Sequence, residues 1–127
     1  MRVILDTGVF FSPKALERLA RLPHDVVIPA VVFTERARQL SKRGIEPSDF
    51  HARIEANDFH VEAFGMDEAC RWAMSIHDDE EWRRLARDAM IAGHLDEEAG
   101  DVLWTTNPSD FEQIGVDEDR IAAIDPG

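Results

Sequence analysis

Cysteine is nearly absent from this chain: Cys70 stands alone among 127 residues. An internal disulfide is thereby excluded, and so is a zinc site built on cysteines, which leaves Cys70 expected as a small packing residue. Lysine is scarce as well, with only Lys14 and Lys42, so arginine carries nearly all the positive charge. No apolar run approaches the roughly 20 residues of a membrane-spanning helix. The N-terminus lacks the basic-then-apolar profile of a secretory signal. A cytoplasmic protein with no membrane partner is the expectation. Repeats, low-complexity stretches and linkers are missing too, and 127 residues leave no room for a second core, so one domain over residues 1–127 is expected. The histidines, His24, His51, His60, His77 and His94, form no pair with one another at metal-ligand spacing and are expected at the surface.

What is present in excess is acid: 26 Asp and Glu against 14 Lys and Arg give a net charge of −12. Such a surplus favours solubility but makes the compact state repel itself. Salt screens the repulsion, since the Debye length falls from about 10 Å at 0.1 M to about 3 Å at 1 M. A salt-rich, halophilic cytoplasm accounts for this balance, and an ordinary acidic protein is the plainer account. Apolar residues make up 44% of the chain, enough for a folded core.

Along the chain, short apolar runs alternate with helical patterns. Val3-Ile4-Leu5 reads as a buried strand ending in Asp6-Thr7-Gly8. Ser12-Pro13 reads as an N-cap with proline at the first helical position, followed by a stripe of Leu16, Leu19, Ala20 and Leu22. Val26-Val27-Ile28 is a second strand, stopped by Pro29, and a helix carrying Val31, Val32, Glu35 and Leu40 runs on until Gly44. A helix is expected over 47–57, a strand over 59–64 and a helix over 67–76. One long helix is expected from Asp78-Asp79 through Trp82, Leu85, Ala89, Ala92 and Leu95. Val102 to Thr105 is a strand, Pro108 to Gln113 a short helix or turn, and Ile121 to Ile124 a last strand before Pro126-Gly127. Trp72, Trp82 and Trp104 fall at periodic apolar positions and are expected in the core. This alternation predicts a three-layer α/β/α domain with a central, mostly parallel sheet and a functional crevice beyond the carboxyl ends of its strands.

Four acids look misplaced. Asp6 directly follows the first strand, where it either caps the following turn or binds a ligand. Glu35 shares a helix face with Val31 and Val32, or lies at the solvated edge of that face. Asp88 sits within an apolar stripe, three residues after Leu85 and four before Ala92. Burying an unpaired carboxylate costs several kcal/mol, so Asp88 must be paired, neutralised or bound to a cation, and Arg84 is the ready ion-pair partner. Asp110 stands just past the strand ending at Thr105, or caps a turn there. Carboxylates converging on one crevice repel unless a hard cation joins them, and Mg²⁺ takes such oxygen ligands beside substrate phosphate.

Four segments in this order, Val3-Ile4-Leu5-Asp6-Thr7, Pro29-Ala30-Val31-Val32-Phe33-Thr34-Glu35, Arg87-Asp88-Ala89-Met90-Ile91-Ala92-Gly93 and Thr105-Thr106-Asn107-Pro108-Ser109-Asp110-Phe111, resemble the PIN-domain family over most of the chain. The resemblance implies a Mg²⁺- or Mn²⁺-dependent endoribonuclease. By it, Asp6 and Asp88 bind metal, Glu35 binds metal or orients the attacking water, and either Asp110 or Asn107 completes the cluster. Small members of this length are mostly toxins of toxin–antitoxin pairs, similar to VapC. That implies an RNA substrate, a small antitoxin partner and a homodimer. Arg36, Arg38 and Arg43 on one helix, with Arg83, Arg84 and Arg87 on another, offer a basic rim for phosphate, or else pair with acids such as Glu80 and Glu81.

Two other classes compete. An aspartyl phosphatase needs a second aspartate two residues after Asp6, where Gly8 stands, and a receiver domain needs a lysine near a late strand, which the two lysines do not supply. A non-catalytic interaction module of the same fold is the remaining alternative. It would tolerate loss of Asp88 and gain no stability from metal.

Overall fold

Val3, Ile4 and Leu5 are shut off almost completely from solvent, as an apolar run in a central strand requires. They belong to β1 (Arg2–Leu5) in a computed structural model that describes residues 1–21, 24–74 and 79–125, without the side chains of Glu81 and Trp82. Expectations resting on Leu22, Ile76, His77, Asp78, the Trp82 side chain and Pro126-Gly127 lie outside the described residues.

On one side of β1 lie β2 (Asp25–Pro29) and then β3 (Phe59–Glu62), and on the other β4 (Val102–Thr105) and then β5 (Ile121–Ala123), giving the order β3-β2-β1-β4-β5. Every pairing is parallel, with Ile4 opposite Val27 and Leu103, and Leu5 opposite Trp104. Parallel neighbours need crossovers, and helices supply them: α1 (Thr7–Phe10), α2 (Pro13–Ala20), α3 (Ala30–Ser41), α4 (Pro47–Ala56), α5 (Met66–Ala73), α6 (Asp79–Arg84), α7 (Ala86–Ala92) and α8 (Pro108–Gln113). The result is the expected three-layer α/β/α arrangement around a central parallel sheet. Ser12 caps α2 by accepting from the Ala15 amide, with Pro13 at the first position, so the local signal there is used as read.

Chain order reverses at β1. The first three strands build outward in one direction, and β4 then adds on the opposite side of β1. The carboxyl ends of β1 and β4 therefore flank the switch point, where an open parallel sheet leaves its crevice.

Several expectations are corrected. The long helix is two, because Leu85 leaves helical geometry (φ −108°, ψ 15°) and becomes the N-cap residue of α7. Periodicity does not see a one-residue break while apolar spacing continues, and Leu85, Ala89 and Ile91 are all buried. Cys70 is exposed rather than packed, since α5 buries no residue completely. His94, expected at the surface, is wholly buried. Arg84 does not serve Asp88 but donates to Gln113 Oε1 at 2.7 Å.

An ionic network that sequence reading missed ties the amino end of β1 to its surroundings. Arg2 donates through Nε and Nη2 to the buried Asp101, through Nη2 to the His94 carbonyl at 2.9 Å, and through Nη1 to Glu62. Burial pushes the Glu62 carboxyl up, but hydrogen bonds from His94 and Arg2 outweigh it and hold Glu62 below the usual carboxylate range.

Candidate active site

Asp6 is the first residue past β1. Its amide still donates to the Trp104 carbonyl at 3.0 Å, which continues the ladder with β4, while its own carbonyl accepts from Val9 and Phe10 and opens α1. The chain thus turns from strand to helix at Asp6, and the side chain is left at the switch point. Oδ1 accepts from the Thr7 amide and Oδ2 from Thr105 Oγ1, both at 2.7 Å. The cap, one of the two alternatives for Asp6 in the sequence, is thus present, and it leaves the carboxylate at the carboxyl end of β1.

Gly8 lets this turn form. A Cβ there would lie 2.5 Å from Thr106 Oγ1, so α1 approaches the end of β4 so closely that a side chain at position 8 would force Thr106 to shift. Thr105, buried at that end, donates to Asp6 and accepts from the Asn107 amide at 2.9 Å. The loop leading into α8 is thereby fastened to the first carboxylate. Asn107 in turn donates from Nδ2 to Asp110 Oδ2 at 2.6 Å and accepts from Ser109 Oγ. Its amide group is occupied with placing Asp110, in the first turn of α8.

Glu35 lies midway along α3 and Asp88 in the first turn of α7, and these helices pack together. The Glu35 and Asp88 side chains are 28% and 14% exposed, so neither is solvated like a surface acid. Arg87 reaches Glu35 Oε2 at 3.3 Å and Asp88 Oδ1 at 3.9 Å, but more than half of it faces water. Exposed pairs of this kind contribute little. Burial, the largest cause, and the charge of Asp6 push the Asp88 carboxyl up to about 6; Arg87 opposes them, and the charges of Asp110 and Glu35 add to the rise.

The structure therefore brings Asp6, Glu35 and Asp110 into electrostatic reach of Asp88, with Asn107 donating to Asp110. Two buried oxygens near this cluster, Thr7 Oγ1 and Glu35 Oε1, have no hydrogen-bond partner in the protein. Buried polar atoms are nearly always satisfied, so unspent oxygens beside mutually repelling carboxylates fit a hard cation with its waters. Thr105, whose hydroxyl ties Asp6 to the Asn107 amide, has no role in the sequence reading, and Thr7 enters it only as an alternative cap, whereas here its amide donates to Asp6. The available signal is a hydroxyl at the end of β4 and another just past β1, inside motifs otherwise read for their acids.

A helix long and apolar enough to cross a membrane is absent among the described residues. The family model described as PIN domain matches residues 3–116. Compared with curated proteins, the chain has no significant match. Among solved structures it is similar to a toxin–antitoxin complex from Klebsiella pneumoniae, at 18% identity and a TM-score of 0.64, over 100% of this chain and 98% of that one.

Proposed function

Because this chain belongs to the PIN domain family, we propose that it is a metal-dependent endoribonuclease, similar to VapC, acting as the toxin of a toxin–antitoxin pair. The observation that supports this reading is the gathering of Asp6, Glu35 and Asp110 within electrostatic reach of Asp88, whose carboxyl is pushed up to about 6, with Glu35 Oε1 left without a partner. Asp6 and Asp88 would hold a Mg²⁺ or Mn²⁺ ion. Glu35, whose free oxygen is buried, orients the attacking water and takes its proton. Asp110 is the fourth acid, and Asn107 positions it. Bound there, the cation supplies charge neutralisation at the phosphodiester and makes water a better nucleophile. Thr105 aims Asp6 by donating to it, while Arg87, half in solvent, offers a cation to an incoming RNA phosphate.

The antitoxin reading is supported by the fold shared with a protein solved as a toxin–antitoxin complex. An apolar groove of about 560 Å³ between α1, α2, α3 and α4, lined by Phe10, Phe11, Leu16, Leu40 and Phe50, is the proposed seat of that partner. Arg36 and Arg53 also line it and favour a segment with acids beside its apolar residues. The chain works in the cytoplasm and forms a homodimer.

Total cellular RNA incubated with the protein and Mg²⁺ or Mn²⁺ should yield discrete fragments that disappear with EDTA and with folded Asp88→Asn. Identical RNA patterns for wild type and variant under every metal condition would overturn the nuclease in favour of an interaction module.

A further inference from the structure

Arg87 stands in the first turn of α7, where the helix dipole disfavours a cation. Two carboxylates offset this. Nη1 donates to Glu35 Oε2 on α3 at 3.3 Å, and Nη2 lies 3.9 Å from Asp88 Oδ1. Among the described residues, Arg87 is the one cation that an ion pair joins to either acid. Arg84, three residues earlier, is spent on Gln113 instead.

The hold on Arg87 is loose. Tight hydrogen bonds from a guanidinium to a carboxylate run at about 2.7–2.9 Å, and both contacts here are longer. More than half of the Arg87 side chain is exposed, so water screens the pair further. Glu35 Oε1 meanwhile remains buried with no partner in the protein. One positive charge thus offsets two carboxylates without satisfying them.

We propose that Arg87 is a resident counter-ion of the crevice, displaced from Glu35 and Asp88 by the divalent cation and only then free to take an RNA phosphate. The proposal rests on the metal-dependent nuclease reading and adds an order of assembly to it, metal before RNA. A dication held by Asp88 repels a guanidinium leaning on the same carboxylate, and the exposed, singly charged group is the one with solvent to move into. After release the arginine is still tethered one residue from Asp88, so the phosphate it takes belongs to a strand lying at the acids. Its planar fork suits two phosphate oxygens at once. Without metal the same fork is occupied by the protein's own carboxylates, and the crevice offers RNA mostly negative charge.

The test uses the full chain and Mn²⁺ alone, with affinity read by calorimetry. Arg87→Gln keeps a donor for Glu35 but removes the charge, and should bind Mn²⁺ roughly three- to tenfold more tightly than wild type. Arg87→Lys restores the charge and should move affinity back toward wild type. Arg84→Gln removes a charge not paired with the acids and should stay close to wild type. A labelled 2′-O-methyl phosphorothioate oligonucleotide, chosen to resist cleavage, then reports the phosphate contact. In EDTA, wild type and Arg87→Gln should bind it alike, whereas saturating Mn²⁺ should strengthen wild type several-fold more than Arg87→Gln. Mn²⁺ bound equally by wild type and Arg87→Gln, equal tightening by Arg84→Gln, or an oligonucleotide loss in Arg87→Gln as large in EDTA as in Mn²⁺ would each overturn the displacement and leave the metal site standing. Mn²⁺ that binds none of these proteins would instead overturn the nuclease reading, and this inference with it.

Discussion

Asp88 makes its point one residue at a time. Its carboxyl titrates near 6 in the folded protein against 3.8 as a free side chain, so the folded chain holds that proton more tightly than the unfolded one. Protonation at Asp88 therefore stabilises the metal-free protein fully below about pH 3.8, and this contribution fades as pH rises through about 6. Asn at this position stays neutral throughout. In urea unfolding with EDTA, Asp88→Asn should exceed wild type at pH 7 by on the order of 2 kcal/mol, with the gap closing toward pH 4. A gap that is absent, or that grows with acid, would mean the charge of Asp88 is already compensated. A dication competes with the same proton, so metal-dependent RNA cutting should increase with pH and level off above about 6. Asp6, Glu35 and Asp88 were legible because a carboxylate in an apolar pattern is out of place. Thr7 and Thr105 were not, because a hydroxyl near a strand end is ordinary and only its partner gives it meaning.

Elements explain why those residues meet. β1 and β4 are adjacent only because the chain reverses direction across the sheet, and the order of strands in a sheet leaves little mark on local sequence. Strand and helix alternation was legible, as was the Ser12-Pro13 cap, since each is a short-range signal. The break at Leu85 and the burial of His94 were hidden, being set by what packs against them. Gly8 sits between these cases: its place after Asp6 was plain, while its need comes from Thr106. Gly8→Ala should destabilise by about 1–3 kcal/mol, because a β-branched neighbour in contact cannot swing freely aside. The strain belongs to that pair, so in a Thr106→Ala background the same substitution should cost markedly less by chemical denaturation. Equal costs in both backgrounds would place the constraint elsewhere in the turn.

At the scale of the whole molecule, a net charge of −12 acts against both folding and the proposed substrate. Part of it is confined to the strand-end cluster, where the cation of the proposed function would offset it locally. The remainder is spread over the surface, where the few cations are already engaged in places: Arg2 by Asp101 and Glu62, Arg84 by Gln113, and Arg36 by Gln39 and the face of Phe11. Screening should therefore help the fold. The melting temperature is expected to rise as KCl goes from about 0.1 to about 1 M, over which the Debye length contracts from about 10 to about 3 Å. Phosphate contacts weaken over the same range, so RNA affinity should fall as stability rises. A variant with Glu97 and Glu98, both exposed in the loop before β4, changed to Gln separates the two effects. It lowers self-repulsion without touching the acids of the crevice, and should melt higher at low salt while converging on wild type at high salt. If instead the melting temperature of wild type is flat or falls with salt, the surface acids are balanced by the arginines around them, and the acid surplus has a cause other than a salt-rich cytoplasm.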